Sequence, residues 1–194
     1  MTRTPDHPVD PQFFERWSPR AFTDEALPEP TLMTLLEAAR WAPSSFNAQP
    51  WRFVYALRGD ERWDRFVGAL RPNNQSWAGR AAALVVVLSR TMATPPGQSV
   101  EAPYRTHAFD AGCAWGFLAL QAHRLGWATH AMAGFEELQM REVLRAPAVY
   151  AIDAVIAIGK AGDPATLPPG LREREKASAR RPLAASVSKG VFKE

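Results

Sequence analysis

Apolar positions along the chain recur at two periods. Between Pro28 and Ala42, Leu32, Leu35, Leu36 and Ala39 fall at i, i+3, i+4 and i+7, the spacing that gathers side chains on one face of an α-helix. Pro28 and Pro30 suit its entry and Pro43 its end, because proline carries no N–H for a helix interior. Residues 60–70 repeat the pattern with Trp63, Phe66, Val67 and Leu70 on one face, and Asp60 is the expected N-cap. HAFDAGCAWGFLALQAHRLG, residues 107–126, is apolar on most faces, which predicts a central or interfacial helix closed by Gly126. Residues 136–146 predict another helix stopped by Pro147, and residues 11–22 open with a short helical stretch. The other signal is the short apolar or β-branched run. Residues 50–57, 83–89 and 150–162 read as strands, and residues 127–135 as a short strand or extended link. Residues 91–105, with three prolines and a glycine, predict a surface loop; the first dozen residues and the tail from 172 read as extended arms. The order α, β, α, β, α, β, α, β, tail, without repeat or boundary, predicts one α+β domain over residues 1–194.

Composition narrows the function class. The net charge of +3 is uneven: residues 172–194 hold seven Lys/Arg against three Glu, which leaves residues 1–171 at −1. A nucleic-acid binder more often shows a basic stripe with interleaved aromatics on a recognisable module, and no such module is present. Anionic small ligands stay open. Seven tryptophans in 194 residues favour extensive packing or a subunit interface. Cys113 is the only cysteine, so no intrachain disulfide forms, which fits a reducing cytoplasm. The N-terminus is polar and proline-rich, unlike a secretory signal. The longest apolar run, residues 81–88, is too short to span a bilayer.

Several chemistries lack their residues. The four histidines, His7, His107, His123 and His130, are scattered, without metal-ligand spacing. No G-x-S-x-G, P-loop or G-x-G-x-x-G pattern occurs. Two polar stretches remain. RWSPR, Arg16 to Arg20, sets two guanidinium groups around a hydroxyl; it reads as a solvated basic turn or as a phosphate contact, which the planar Arg fork suits. PSSFNAQPW, Pro43 to Trp51, reads as a helix-ending turn or as a set of hydroxyl and amide groups facing the edge of a planar heterocycle. Trp41, Phe46 and Trp115 read as core packing, with narrowing of a pocket as the alternative.

Taken together, these stretches resemble the nitroreductase family of flavin enzymes. The resemblance rests on Arg16-Trp17-Ser18-Pro19-Arg20, Ala42 through Trp51, NQSWAGRAAALVVV at 74–87, FDAGCAWGFLALQAHRLGWATHAMAGF at 109–135, AVIAIGKAG at 154–162 and ARRPLAASV at 179–187, in the family's order. It implies an α+β three-layer sandwich, with a mostly antiparallel central sheet flanked by helices. It also implies an interlocked homodimer whose C-terminal arms wrap the partner. The implied cofactor is FMN at the dimer interface, with NADH or NADPH as co-substrate and a nitroaromatic, quinone or similar electron-poor acceptor in a ping-pong cycle; flavin N5 carries the chemistry, and no catalytic side chain is implied. Arg16, Trp17 and Ser18 would lie at the phosphate end, with Arg180 or Arg181 completing the clamp. Arg20 would sit at the N1/O2 edge of the ring, where a cation stabilises reduced flavin. Asn74 would bond ring or ribityl, and Met132, Ala133 and Gly134 would run along the ring with a backbone N–H near N5. Pro43, Ser44, Ser45 and Asn47 would come from the other subunit. Ala133 replaces a Glu found in many members, and Trp77 a Lys found in some. Relatives of this fold also dehalogenate or consume flavin, or bind it without turnover.

Overall fold

The computed structural model describes residues 3–192. Lys193 and Glu194, counted in the tail charge above, lie outside the described residues. Four strands, β1 (Trp51–Leu57), β2 (Ala83–Arg90), β5 (Ala128–Met132) and β6 (Tyr150–Gly159), form an antiparallel sheet of order β1-β2-β6-β5. Along β2, Ala83, Val85 and Val87 face one side, and Leu84, Val86 and Leu88 the other; all six are buried. Helices on both faces explain why this strand reads as an unbroken apolar run. On the first face lie α2 (Glu29–Arg40), through Leu32, Leu35 and Ala39, and α5 (His107–Arg124), through Ala111, Ala114, Leu118 and Ala122. On the second lie α3 (Trp63–Gly68), α4 (Pro72–Ala78) and α6 (Glu137–Leu144), through Trp63, Phe66, Trp77 and Met140. This is the expected three-layer α+β sandwich. Among the described residues no helix is long and apolar enough to cross a membrane.

The end of α5 follows its glycine. Gly126 takes φ +72, with Gly126 N–H donating to His123 O and Trp127 N–H to Ala122 O, the paired bonds of a Schellman motif. Other boundaries differ from the sequence reading. Asp60 does not cap α3: its Oδ2 accepts the Leu57 N–H at 2.8 Å and closes the turn after β1. Helix α6 stops before Pro147, at Arg145 in the left-handed region (φ 52). The stretch 91–105 is no plain loop, since β3 (Met92–Ala93) and β4 (Ala102–Pro103) pair as a small hairpin. Just before the tail, α7 (Pro169–Arg172) buries Leu171, and the tail itself holds a 3₁₀ turn at Leu183–Ala185. Short α1 (Pro11–Glu15) lies along α5.

A close approach seats the stretch after RWSPR. Phe22 bridges Ala161, Gly162 N–H donates to Ala21 O at 2.8 Å, and Thr23 N–H to Lys160 O at 2.9 Å. A Cβ on Gly159 would stand 2.7 Å from Phe22 Cδ1, and one on Gly162 2.7 Å from the Phe22 carbonyl carbon. The glycines of the Gly159–Gly162 stretch therefore make room for the chain that carries Arg16, Ser18 and Arg20.

Candidate functional site

Arg16 and Ser18 meet: Arg16 Nη1 donates to Ser18 Oγ at 3.3 Å. Arg3 joins them from the N-terminal arm, its Nη1 donating to the carbonyls of Phe14 (2.7 Å) and Arg16 (2.8 Å) and its Nε to Ser178 O at 3.0 Å. Arg180 reaches the same tail residue, with Nη1 donating to Ser178 Oγ at 3.2 Å. Among the described residues no carboxylate pairs with Arg3, Arg16 or Arg180. Burial first, then the Arg3 and Arg180 charges, push the Arg16 guanidinium below its ordinary pKa. Three neighbouring cations, none of them ion-paired among the described residues, outnumber the one carboxylate beside them, Asp6, and make a local positive field that favours an anion. Arg180, not Arg181, is the tail residue that presses on Arg16; both line a separate 530 Å³ cavity with Arg3.

Arg16 and Ser18 also border a cavity of about 450 Å³, walled by Trp115 and Gly116 of α5 and Ala131 of β5. The site continues along β5. His130 Nδ1 lies 3.0 Å from the Pro19 carbonyl and its ring 4.6 Å from that of Trp77; burial, the largest influence, pushes its pKa down. Beyond β5, Asn74 Nδ2 donates to Gly134 O at 2.9 Å and Arg71 N–H to the same oxygen at 3.0 Å. A Cβ on Gly134 would overlap Asn74 Nδ2. Met132 is buried and Ala133 exposed. Arg20 is held by the tail, its N–H and that of Ala21 donating to Glu175 Oε1 at 2.5 and 2.9 Å. Trp17 is half-buried.

The other predicted half stands apart. Phe46, Asn47 and Gln49 all take positive φ (51, 55 and 47), a conformation costly for residues with a Cβ. Gln49 N–H donates to Ser44 Oγ at 3.0 Å, and the turn is fastened to the start of α5. There buried Asp110 Oδ2 accepts from Ser45 N–H (3.2 Å), Tyr104 O–H (2.6 Å) and Thr106 Oγ1 (3.3 Å), and Tyr104 O–H also reaches Ser45 O at 2.8 Å. Pro43 and Asn47 are exposed and Ser44 and Ser45 half-buried. Along α5 the turn is fastened at Asp110, and the Arg16 cavity is lined from Trp115 to Leu120, about 8 to 15 Å further on at 1.5 Å per residue. One chain thus brings Arg16, Ser18, Arg20, Asn74, Gly134 and Arg180 along one edge, and holds Pro43, Ser44, Ser45 and Asn47 elsewhere.

Trp77 is buried among Phe22 and His130 and is a core residue. Trp41 and Phe46, read as core, are 69% and 80% exposed: Trp41 follows the end of α2 with its indole N–H on Glu37, and the positive φ of Phe46 turns its ring outward. Trp115 alone of the three lines the cavity. Arg3, Asp110, Tyr104 and Glu175 belong to no local motif, and only the fold shows their partners.

The fold and this edge define an α+β protein with an arginine cluster beside a cavity walled in part by Trp115. The model of the Nitroreductase family matches residues 14–71 and 59–160, and the chain belongs to that family. A solved structure described as an oxidoreductase containing FMN is 45% identical, covering 98% of this chain and 96% of its own, with a TM-score of 0.94. A putative nitroreductase in complex with FMN from Desulfovibrio desulfuricans is 26% identical over 97% of this chain and 99% of its own, TM-score 0.71. A protein of Thermus thermophilus named NADH dehydrogenase is 27% identical over 75% of this chain and 82% of its own length.

Proposed function

We propose that the protein is an FMN-dependent oxidoreductase that uses NADH or NADPH to reduce an electron-poor acceptor of the nitroaromatic or quinone type, and that it works as a homodimer. The carrying observation is that Arg3 and Arg180 gather behind Arg16, none of the three in an ion pair among the described residues, and that Arg16 reaches Ser18 beside a cavity walled by Trp115 and Gly116. A phosphate monoester dianion fits such a cluster, and an aromatic wall suits a planar ring. Bound FMN would supply the electron-transfer chemistry that no side chain of this protein supplies.

The chain's own residues bind, orient and exclude water. Arg16, Ser18 and Arg180 would hold the phosphate; Arg20 would present its charge to the polar edge of the ring. Asn74, fixed on the Gly134 carbonyl, would offer its remaining amide groups. Ala133 and Gly134 would offer backbone N–H, which explains why an exposed alanine serves at that position. Trp77, held in the core, takes no part in donor approach.

The second half of the site fits a second copy of the chain. The outward face of α5 carries Phe109, Gly112, Gly116 and Leu120, and Phe109 and Phe117 are 80% and 40% exposed. Two such helices packed antiparallel would bury these rings. They would also bring the start of one α5, with its Ser44–Asn47 turn, to the later turns of the other, where Arg16 and Ser18 lie. Beyond the reach of β5, residues 151–154 of β6 have no strand partner on that side among the described residues, and that edge is a further surface a second copy would cover.

The test is a visible spectrum of the purified protein with FMN, followed by anaerobic NADH or NADPH. A flavin band that bleaches with either donor, together with Arg16→Ala weakening FMN at least tenfold, is expected. A protein that takes up no FMN refutes the proposal, and a flavin that neither donor bleaches refutes the reductase part of it.

A further inference from the structure

Arg20 does not stand alone. Glu175, 155 positions further along the chain, follows α7, whose Leu171 is anchored in the core. The Glu175 side chain is 1% exposed, against 25% for Arg20. Oε1 accepts both the Arg20 and Ala21 N–H groups, and Oε2 lies 3.5 Å from Arg20 Nη1 with no hydrogen bond of its own. A buried carboxylate with one oxygen left unbonded is costly where its only role is to cap two backbone N–H groups, since a neutral acceptor would cap them as well. What the charge adds is compensation of the Arg20 cation.

We propose that Glu175 is a positioning residue that fixes the backbone of Arg20 and offsets its charge, and so sets the reducing power of the flavin bound beside it. This rests on the placement of Arg20 at the ring edge in the proposed function. Reduction of flavin adds negative charge at that edge. A lone cation there favours the reduced form, whereas an Arg20–Glu175 pair carries no net charge and favours it less. One unit charge acting over about 10 Å at an effective dielectric of about 20 changes an equilibrium about tenfold. Trp77 and His130 pack against the same segment. Burial outweighs the carbonyl contact in holding the His130 pKa down, so near neutral pH His130 adds little charge of its own.

The experiment compares wild type with Glu175→Gln as FMN-loaded protein, measuring FMN affinity and the flavin midpoint potential. Glutamine keeps an acceptor for both backbone N–H groups and removes the charge. The expected result is oxidised-FMN affinity within about threefold of wild type and reduced-FMN affinity raised about tenfold relative to oxidised, which is about 30 mV for a two-electron couple. A merely structural Glu175 would leave the midpoint unmoved, and that result overturns the proposal. Where Glu175→Gln alone does not fold, Arg20→Gln is compared with the double variant Arg20→Gln/Glu175→Gln. The single variant, with an uncompensated carboxylate, should favour oxidised flavin. The double variant should return to within a factor of about two of wild type, and failure to return overturns the proposal. Wild type that takes up no FMN overturns the proposed function and this inference with it; wild type that binds FMN with a midpoint indifferent to Glu175 overturns this inference alone.

Discussion

Replacing Asp110 by alanine asks whether the Ser44–Gln49 turn is held in place by the start of α5. The substitution removes acceptors for Tyr104 O–H at 2.6 Å, Ser45 N–H at 3.2 Å and Thr106 Oγ1 at 3.3 Å. Hydrogen bonds to a charged group contribute about 1.5–3 kcal/mol each. Tyr104 keeps Ser45 O as an acceptor and the Thr106 contact is long, so the expected loss is about 3 kcal/mol. Against this stands the strain of Phe46, Asn47 and Gln49, at roughly 1–2 kcal/mol per left-handed residue and less for Asn. Clamp and strain are comparable, so without Asp110 the turn should open and recover part of the loss. A net cost of about 2–3 kcal/mol corresponds to a Tm lowered by roughly 4–12 °C for a chain of this size. Urea unfolding by circular dichroism gives the stability, and limited chymotrypsin cleavage after exposed Phe46 reports the turn, with at least a tenfold faster cut expected. Asp110→Asn, which keeps one acceptor, should cost about 1 kcal/mol. Phe46→Gly should have the opposite sign, stabilising by about 0.5–1 kcal/mol, because it relieves the left-handed strain and removes a ring that packs on little of its own chain. An Asp110→Ala protein within 0.5 kcal/mol of wild type would refute the reasoning. So would one that is destabilised but no easier to cut at Phe46, since the carboxylate would then serve α5 alone.

Gly134→Ala should rotate the Asn74 amide off the Gly134 carbonyl, costing about 0.5–1.5 kcal/mol and weakening FMN; combined with Asn74→Ala the losses should be less than additive, and full additivity would separate the two residues. Gly159→Ala sets a methyl 2.7 Å from Phe22 Cδ1, and because that ring is buried the cost should be about 1–3 kcal/mol; Phe22→Leu in the same chain should recover part of it, and a urea midpoint that shows no recovery would put the strain elsewhere. His130 is held below its ordinary pKa of 6.5 by burial, so the unfolded chain binds the proton that the folded chain refuses. Its contribution is therefore complete above about pH 6.5 and lost as pH falls through the folded pKa, and His130→Gln should flatten that part of the stability profile; an unchanged slope would assign it to another group.

What could be read from the sequence was periodic or local. Leu32, Leu35 and Ala39 face the core because helix spacing leaves few other arrangements, and Ala83 to Ser89 is buried on both faces because such a run must be covered on both. Arg16, Ser18 and Arg20 stood out only through the resemblance of the ordered stretches to a family, because by residue type and spacing alone they suit a solvated basic turn as well as a phosphate contact. Boundaries were less legible where a side chain had competing partners: Asp60 bonds the end of β1 instead of capping α3, and Arg145, with no glycine to signal it, takes the left-handed turn that ends α6. Which groups meet across the chain was decided by tertiary structure alone. Arg3 with Arg16, Glu175 with Arg20 and Asp110 with Ser45 are separated by 13, 155 and 65 positions. No periodicity spans such distances, because each contact exists only once two core faces have packed against one sheet. The sequence by itself determined which faces are apolar and which stretches are polar and kinked; packing determined which of those polar groups meet, because burial gives a charge or an amide few partners to choose from.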